Sequence, residues 1–280
     1  MTGLPRLAEL AAALLLAGCS SSGDDRGAVP SPSPTASPTP SAAADTTYLA
    51  LGDSVAAGTG ADDPVREGYV PVLAGLLSDR RGCDDGAAPG CPVQLRNLAV
   101  PGATTETLLR DQLPVALEVL RGGGVHTVTV TVGGNDVFVP VLQACARTPA
   151  APSCAEAVRG AVGTVDRGVD RLLAELSAAG GGATTVAVMT YYDPLAACRL
   201  APLQPLAEQV LEGRTGEDGL NDVLRARAAE HGALVVETAG LLAAPQDFVG
   251  GFDCLHPSSS GHARIAEAFA ASITAALPDA

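Results

Sequence analysis

Val125-His-Thr-Val-Thr-Val-Thr-Val132 runs directly into Gly133-Gly134-Asn135-Asp136. Apart from His126, every residue of the first eight is branched at Cβ, which favours extended backbone, so the segment predicts a strand. The Gly-Gly-Asn-Asp that follows has the composition of a turn. Working outward, Thr46–Leu51 and Val93–Ala99 read as strands before it, and Ala183–Thr190 and Ala233–Thr238 as strands after it. Helical patterns fill the intervals over Tyr69–Arg81, around Thr105–Arg121, over Ser153–Ala179 and over Ala263–Leu277. In the third of these, Val158, Val162, Val165, Val169, Leu172, Leu173 and Leu176 recur at three- and four-residue spacing, which gives one apolar helix face. Alternating strands and helices predict an α/β fold with a mainly parallel five-stranded sheet and helices on both faces. Parallel strands end on one edge of a sheet, and ligands bind there. The residues just after each strand are therefore the ones to question.

Composition narrows the chemistry. The chain has 280 residues and a formal net charge of −14, which argues against a nucleic-acid partner or a basic membrane patch. Lysine is absent, so P-loop nucleotide binding, Ser-Lys dyads and Schiff-base chemistry are excluded. With no Trp, four Tyr and four Phe, stacking platforms for sugars or bases are not expected.

Residues 1–19 place Arg6 ahead of an apolar run, Ala11 to Ala17, and end in Gly18-Cys19. The run is shorter than the roughly 20 residues a bilayer span needs and has the size of a signal-peptide core. Leu16-Ala17-Gly18-Cys19 resembles the lipobox of bacterial lipoproteins, in which the cysteine is lipidated; the alternative is an ordinary secretory signal. Both predict export, the first with anchoring to the outer face of the cell membrane through Cys19. Residues 20–45 are rich in Pro, Ser and Thr and predict an extended linker that buries no core. Residues 46–280 carry no further linker or repeat and read as one domain. In an exported chain the remaining cysteines predict disulfides, and nearest-neighbour pairing gives Cys83–Cys91, Cys145–Cys154 and Cys198–Cys254. None has zinc-site spacing, so no metal is expected.

Three strands end in residues useful to acyl transfer. Gly52-Asp53-Ser54 follows the first, and its serine should sit near the start of a helix with hydroxyl and N–H exposed, as a nucleophile or merely as a cap. Gly102 follows the second, where it lets a backbone N–H approach a substrate or simply serves a turn. Asn135 follows the third, where its amide could donate to an oxyanion or fix a turn. Near the far end stands Asp253-Cys-Leu-His256-Pro257. Proline disfavours helical geometry for the residue before it, so His256 should be extended, with Asp253 placed to bond its Nδ1. His126 opens a strand, His231 follows a helix and His262 falls in the first turn of the last helix; all three read as structural.

Taken in order, Gly52-Asp53-Ser54, Gly102, Gly134-Asn135-Asp136 and Asp253-x-x-His256 resemble the sequence blocks of the GDSL, or SGNH, hydrolase family, across essentially all of residues 46–280. Val55 stands where that family often has leucine. The resemblance implies a flavodoxin-like three-layer α/β/α sandwich and hydrolysis of carboxylic acyl esters without a cofactor. It implies Ser54 as nucleophile, His256 as base and Asp253 as its orienting acid. It also implies Ser54, Gly102 and Asn135 as the oxyanion hole, and makes Asp53 and Asp136 loop-fixing residues. A conventional α/β-hydrolase would carry Gly-x-Ser-x-Gly, but Ala56 holds the final position. The expectation is an exported, monomeric serine esterase or lipase acting on a small-molecule or lipid ester, touching membrane only through its anchor. A carbohydrate O-deacetylase of the same fold and a non-enzymatic ligand-binding lipoprotein are the competing readings. Whether Leu203–Glu230 forms a lid is left open. A Cys198–Cys254 bridge would clamp the loop that carries Asp253 and His256.

Overall fold

Strand β1 (Thr47–Gly52) is buried along its whole length because it lies inside the sheet, with parallel neighbours on both sides. A computed structural model describes residues 46–79, 93–145, 148, 151–195, 203–214, 216–250 and 253–276, without the side chains of His126 and Cys254. After β1 come α1 (Pro64–Glu67), α2 (Tyr69–Asp79), β2 (Gln94–Asn97), α3 (Thr105–Thr107), a π-helical turn (Leu108–Gln112) and α4 (Leu113–Arg121). Then follow β3 (Val125–Thr131), α5 (Gly134–Cys145), α6 (Pro152–Gly180) and β4 (Thr185–Met189). The remainder is α7 (Gln204–Glu212), α8 (Leu220–Glu230), β5 (Leu234–Val236), the short ribbon β6 (Phe248–Gly250) and β7 (Asp253–Pro257), and α9 (Ser259–Ala276). All lie in one compact unit, Ala42–Ala280, and no helix among the described residues is long and apolar enough to cross a membrane.

The five main strands pair in parallel in the order β2-β1-β3-β4-β5, so the expected α/β/α sandwich with a parallel five-stranded sheet is the fold found. One helical group, α2 with α9, covers one face; α6 with α4, α5 and α8 covers the other. Tyr69 of α2 stacks on Phe269 of α9 with ring centroids 5.0 Å apart. The seven apolar residues picked out on α6 by their spacing are all buried. This strand order has its switch point between β1 and β3, where the chain runs outward in opposite directions and leaves a crevice at the carboxyl edge.

The described residues depart from the sequence expectations in three places and give a fourth expectation its detail. Ser54 begins no helix: Ala57, Gly58 and Thr59 donate back to Asp53, Val55 and Ser54 in one turn, Gly58 leaves helical geometry at φ +81°, and the first helix starts at Pro64. The stretch Thr105–Arg121 is helical but widened by the π turn at Leu108–Gln112. Helix α5 was hidden by its β-branched Val137 and Val139 and by Pro140 in its interior, which lower helix propensity. Val137, Val141 and Cys145 nonetheless recur every fourth residue and are buried, so tertiary packing overrides that preference. The extended segment expected at His256 is strand β7, which pairs antiparallel with β6 outside the main sheet.

Cys145 and Cys154 form the expected disulfide, joining the end of α5 to the first turn of α6. Cys19, Cys83, Cys91, Cys198 and the Cys254 side chain lie outside the described residues, as do the signal segment and the linker. The segment Leu203–Glu230 is a helix pair: α8 packs on α6, β4 and β5, and α7 packs on α8.

Candidate active site

Ser54 sits one residue past Asp53, at the carboxyl end of β1, and Asp53 is what holds that turn. Asp53 is buried; its Oδ1 accepts from Val55 N–H at 3.0 Å and from Thr131 Oγ at 3.1 Å, and its Oδ2 accepts from the Tyr191 phenol. Burial pushes its carboxyl up from the ordinary value, and these donors pull it back. The neighbouring Ser54 N–H has no partner among the described residues, so it remains free to donate.

His256 reaches Ser54 from the β6–β7 ribbon, with Nε2 3.0 Å from the serine Oγ although 202 positions separate them. On the other side its Nδ1 lies 2.8 Å from Asp253 Oδ2. Asp253 Oδ1 also accepts from the N–H groups of Leu255 and His256, at 3.0 and 3.1 Å. The aspartate thus folds over its own loop and faces the ring. Burial raises its pKa, but the bonds from His256 and the two N–H groups outweigh that and hold it below the ordinary carboxylate value. An ionised Asp253 keeps the proton on Nδ1 and turns the Nε2 lone pair toward Ser54.

Two further donors face the same space. Gly102 turns at φ +81°, and its N–H has no partner among the described residues. Asn135 lies in the first turn of α5, where a strand-end turn was the alternative to an oxyanion role, and its Nδ2 donates to Ala103 O at 2.9 Å. That bond uses one amide hydrogen, fixes the amide's orientation and leaves the second hydrogen free. Asp136, next along, accepts from Thr105 N–H and Oγ and so ties α5 to the loop that carries Gly102. Asp53 and Asp136 therefore both fix loops.

Ser54, Gly102, Asn135 and His256 all line one cavity of about 260 Å³, with Asp253 behind the imidazole. Its other walls are largely apolar, including Val55, Phe138, Val139, Pro194 and Leu255, and no arginine is among the described residues that line it. No described residue of Leu203–Glu230 lines it. The arrangement provides a hydroxyl with an adjacent, oriented base and a cluster of uncommitted N–H donors beside a largely apolar pocket, a combination suited to acyl transfer.

The other histidines are placed elsewhere. His262, fully buried in the first turn of α9, accepts from Tyr69 N–H at Nδ1 and bonds Thr59 O through Nε2. His231 bonds Asp170 at 2.8 Å. Asp170, Glu230 and His231 could offer three cation ligands within 4.8 Å, but Arg227 already supplies positive charge there, 3.8 Å from Asp170 and 2.5 Å from Glu230.

Sequence reasoning passed over two residues that touch this site, Tyr191 and Tyr192, both buried and both lining the cavity. Their signal is positional: they follow β4 as Ser54 follows β1. Gln112 was also missed, since nothing local marks it.

The GDSL-like lipase/acylhydrolase family model matches residues 50–264. Solved structures of similar fold include the lipase Lip_vut3 from a goat rumen metagenome, 21% identical at a TM-score of 0.63, covering 81% of this chain and 97% of that one. The extracellular lipase of Streptomyces rimosus is 21% identical at a TM-score of 0.56, covering 83% and 100%. An acetylxylan esterase from Geobacillus stearothermophilus is 18% identical at a TM-score of 0.53, covering 81% and 94%. A search of curated proteins by sequence found no match.

Proposed function

Of this chain, which belongs to the GDSL-like lipase/acylhydrolase family, we propose that it hydrolyses carboxylic acyl esters through Ser54, His256 and Asp253. The observation that carries the reading is the continuous relay from Asp253 Oδ2 to His256 Nδ1 at 2.8 Å and from Nε2 to Ser54 Oγ at 3.0 Å. Ser54 Oγ attacks the ester carbonyl while His256 Nε2 takes its proton. The carbonyl oxygen becomes an oxyanion and collects hydrogen bonds from the N–H groups of Ser54 and Gly102 and from the free Asn135 amide hydrogen. His256 then gives the proton to the departing alkoxide, which leaves as the alcohol. Water, deprotonated by the same imidazole, releases the acid from the acyl-serine.

The largely apolar walls favour an apolar ester with a small acyl group, since about 260 Å³ lies just under the usual range for ligand pockets. Export with lipidation at Cys19 belongs to the same proposal and rests on the amino-terminal pattern alone. Labelled palmitate incorporated by the wild type and lost in Cys19→Ser tests it.

The decisive experiment is fluorophosphonate labelling and ester turnover in the wild type and in Ser54→Ala. Labelling of Ser54 and loss of turnover in the variant are expected; wild-type-like turnover in Ser54→Ala removes the mechanism, and an unreactive wild type favours a binding lipoprotein. A chain-length series of acyl esters beside acetylated sugars then separates an esterase from a carbohydrate deacetylase.

A further inference from the structure

The ribbon that carries Asp253 and His256 stands outside the main sheet, so sheet pairing does not set its distance from Ser54. Two consecutive side chains beyond the end of β4 reach both partners. Tyr191 is fixed first: its N–H donates to Asn221 Oδ1 at 2.7 Å and its carbonyl accepts from Asn221 Nδ2 at 2.8 Å. Its phenol donates to Asp53, the carboxylate that holds the turn of Ser54. Its ring lies so close to α5 that a Cβ on Gly134 would come 2.8 Å from Cε1, which places it against the helix turn that carries Asn135.

Tyr192 points to the other partner. Its phenol donates to the carbonyl of Leu255 at 2.9 Å, one residue before His256, and its ring meets Phe248 of β6 edge-on at 5.8 Å. Burial pushes both phenols well above their ordinary value, so both stay protonated donors.

We propose that Tyr191 and Tyr192 are positioning residues, which from one strand end hold the Ser54 turn and the His256 ribbon at the separation that proton transfer requires. The proposal rests on the acyl-transfer reading above. Removing either hydroxyl frees one side of the pair without opening the cavity. A displacement of about 1 Å between reacting groups is worth on the order of 100-fold in rate.

The test compares Tyr191→Phe, Tyr192→Phe and Ser54→Ala, each with kcat, KM and Tm on a p-nitrophenyl ester, together with Tyr192→Phe in a His256→Ala background. Either phenylalanine variant carries the test for its own side if the other fails to fold. The expected result is a drop in kcat of roughly 10- to 100-fold with KM little changed, because the loss is confined to the transition state. The Tyr192→Phe effect should vanish once His256 is gone, since no imidazole is left to position. Wild-type kcat in the folded tyrosine variants overturns the proposal, as does a Tyr192→Phe loss that persists in full without His256. An inactive Ser54→Ala beside fully active tyrosine variants refutes the positioning role alone. An active Ser54→Ala refutes the acyl-transfer reading and the positioning role with it.

Discussion

Gln112 grips both backbone polar groups of Gly52, accepting from its N–H at 2.9 Å and donating to its carbonyl at 2.8 Å. The glutamine is buried and ends the π-helical turn Leu108–Gln112, so the widened turn is what delivers it to the end of β1, two residues before Ser54. Val100 N–H also donates to the Gly52 carbonyl, so truncating Gln112 strands only the Gly52 N–H. Gln112→Ala should therefore cost about 1–3 kcal/mol, the penalty for an unsatisfied buried donor. Denaturant unfolding measures it, and an unchanged midpoint would show that the clamp does not contribute.

Asn135→Ala should lower kcat by roughly 10²–10³ while leaving KM close to wild type, the pattern of a donor that acts only on the oxyanion. Steady-state kinetics on one ester decides it. A pure rise in KM would make Asn135 a substrate-binding group instead.

Burial lowers the pKa of His262, whose ring is committed to Tyr69 N–H and Thr59 O. The unfolded chain protonates this histidine near its ordinary value of about 6.5, whereas the folded chain resists. The unfolded state then binds more protons, so stability is fully present above that pH and declines as pH falls from there through the lower folded pKa. In His262→Gln this part of the pH dependence of Tm should disappear, at the cost of lower stability at neutral pH. An identical slope in wild type and variant would assign the acid sensitivity to other groups.

Much of the architecture was legible because its signals are local. The β-branched run Val125–Val132 and the apolar spacing on α6 mark their own conformations, and both elements are found there. Proline at 257 keeps His256 out of α9 for a steric reason confined to two residues. Helix α5 was not legible, since Pro140 and the valines argue against it and only burial against α6 overrides them. Of the site, the residues that do chemistry carried motifs, while those that hold them in place did not. Gln112, Tyr191 and Tyr192 act through contacts with segments that are distant in the chain.

By itself, the sequence determined which segments are strands and helices, that the sheet is parallel, and which serine, histidine and aspartate suit acyl transfer. Those properties arise from steric preferences, burial periodicity and side-chain chemistry, which operate within a few residues. Only the tertiary structure decided that β1 and β3 lie side by side at the switch point, and that His256 reaches Ser54 at 3.0 Å across 202 positions. It alone decided that the ends of four sheet strands, the β6–β7 ribbon, an amide clamp and two buried phenols converge on one turn. Such distances depend on how distant segments pack together, and no local preference encodes them.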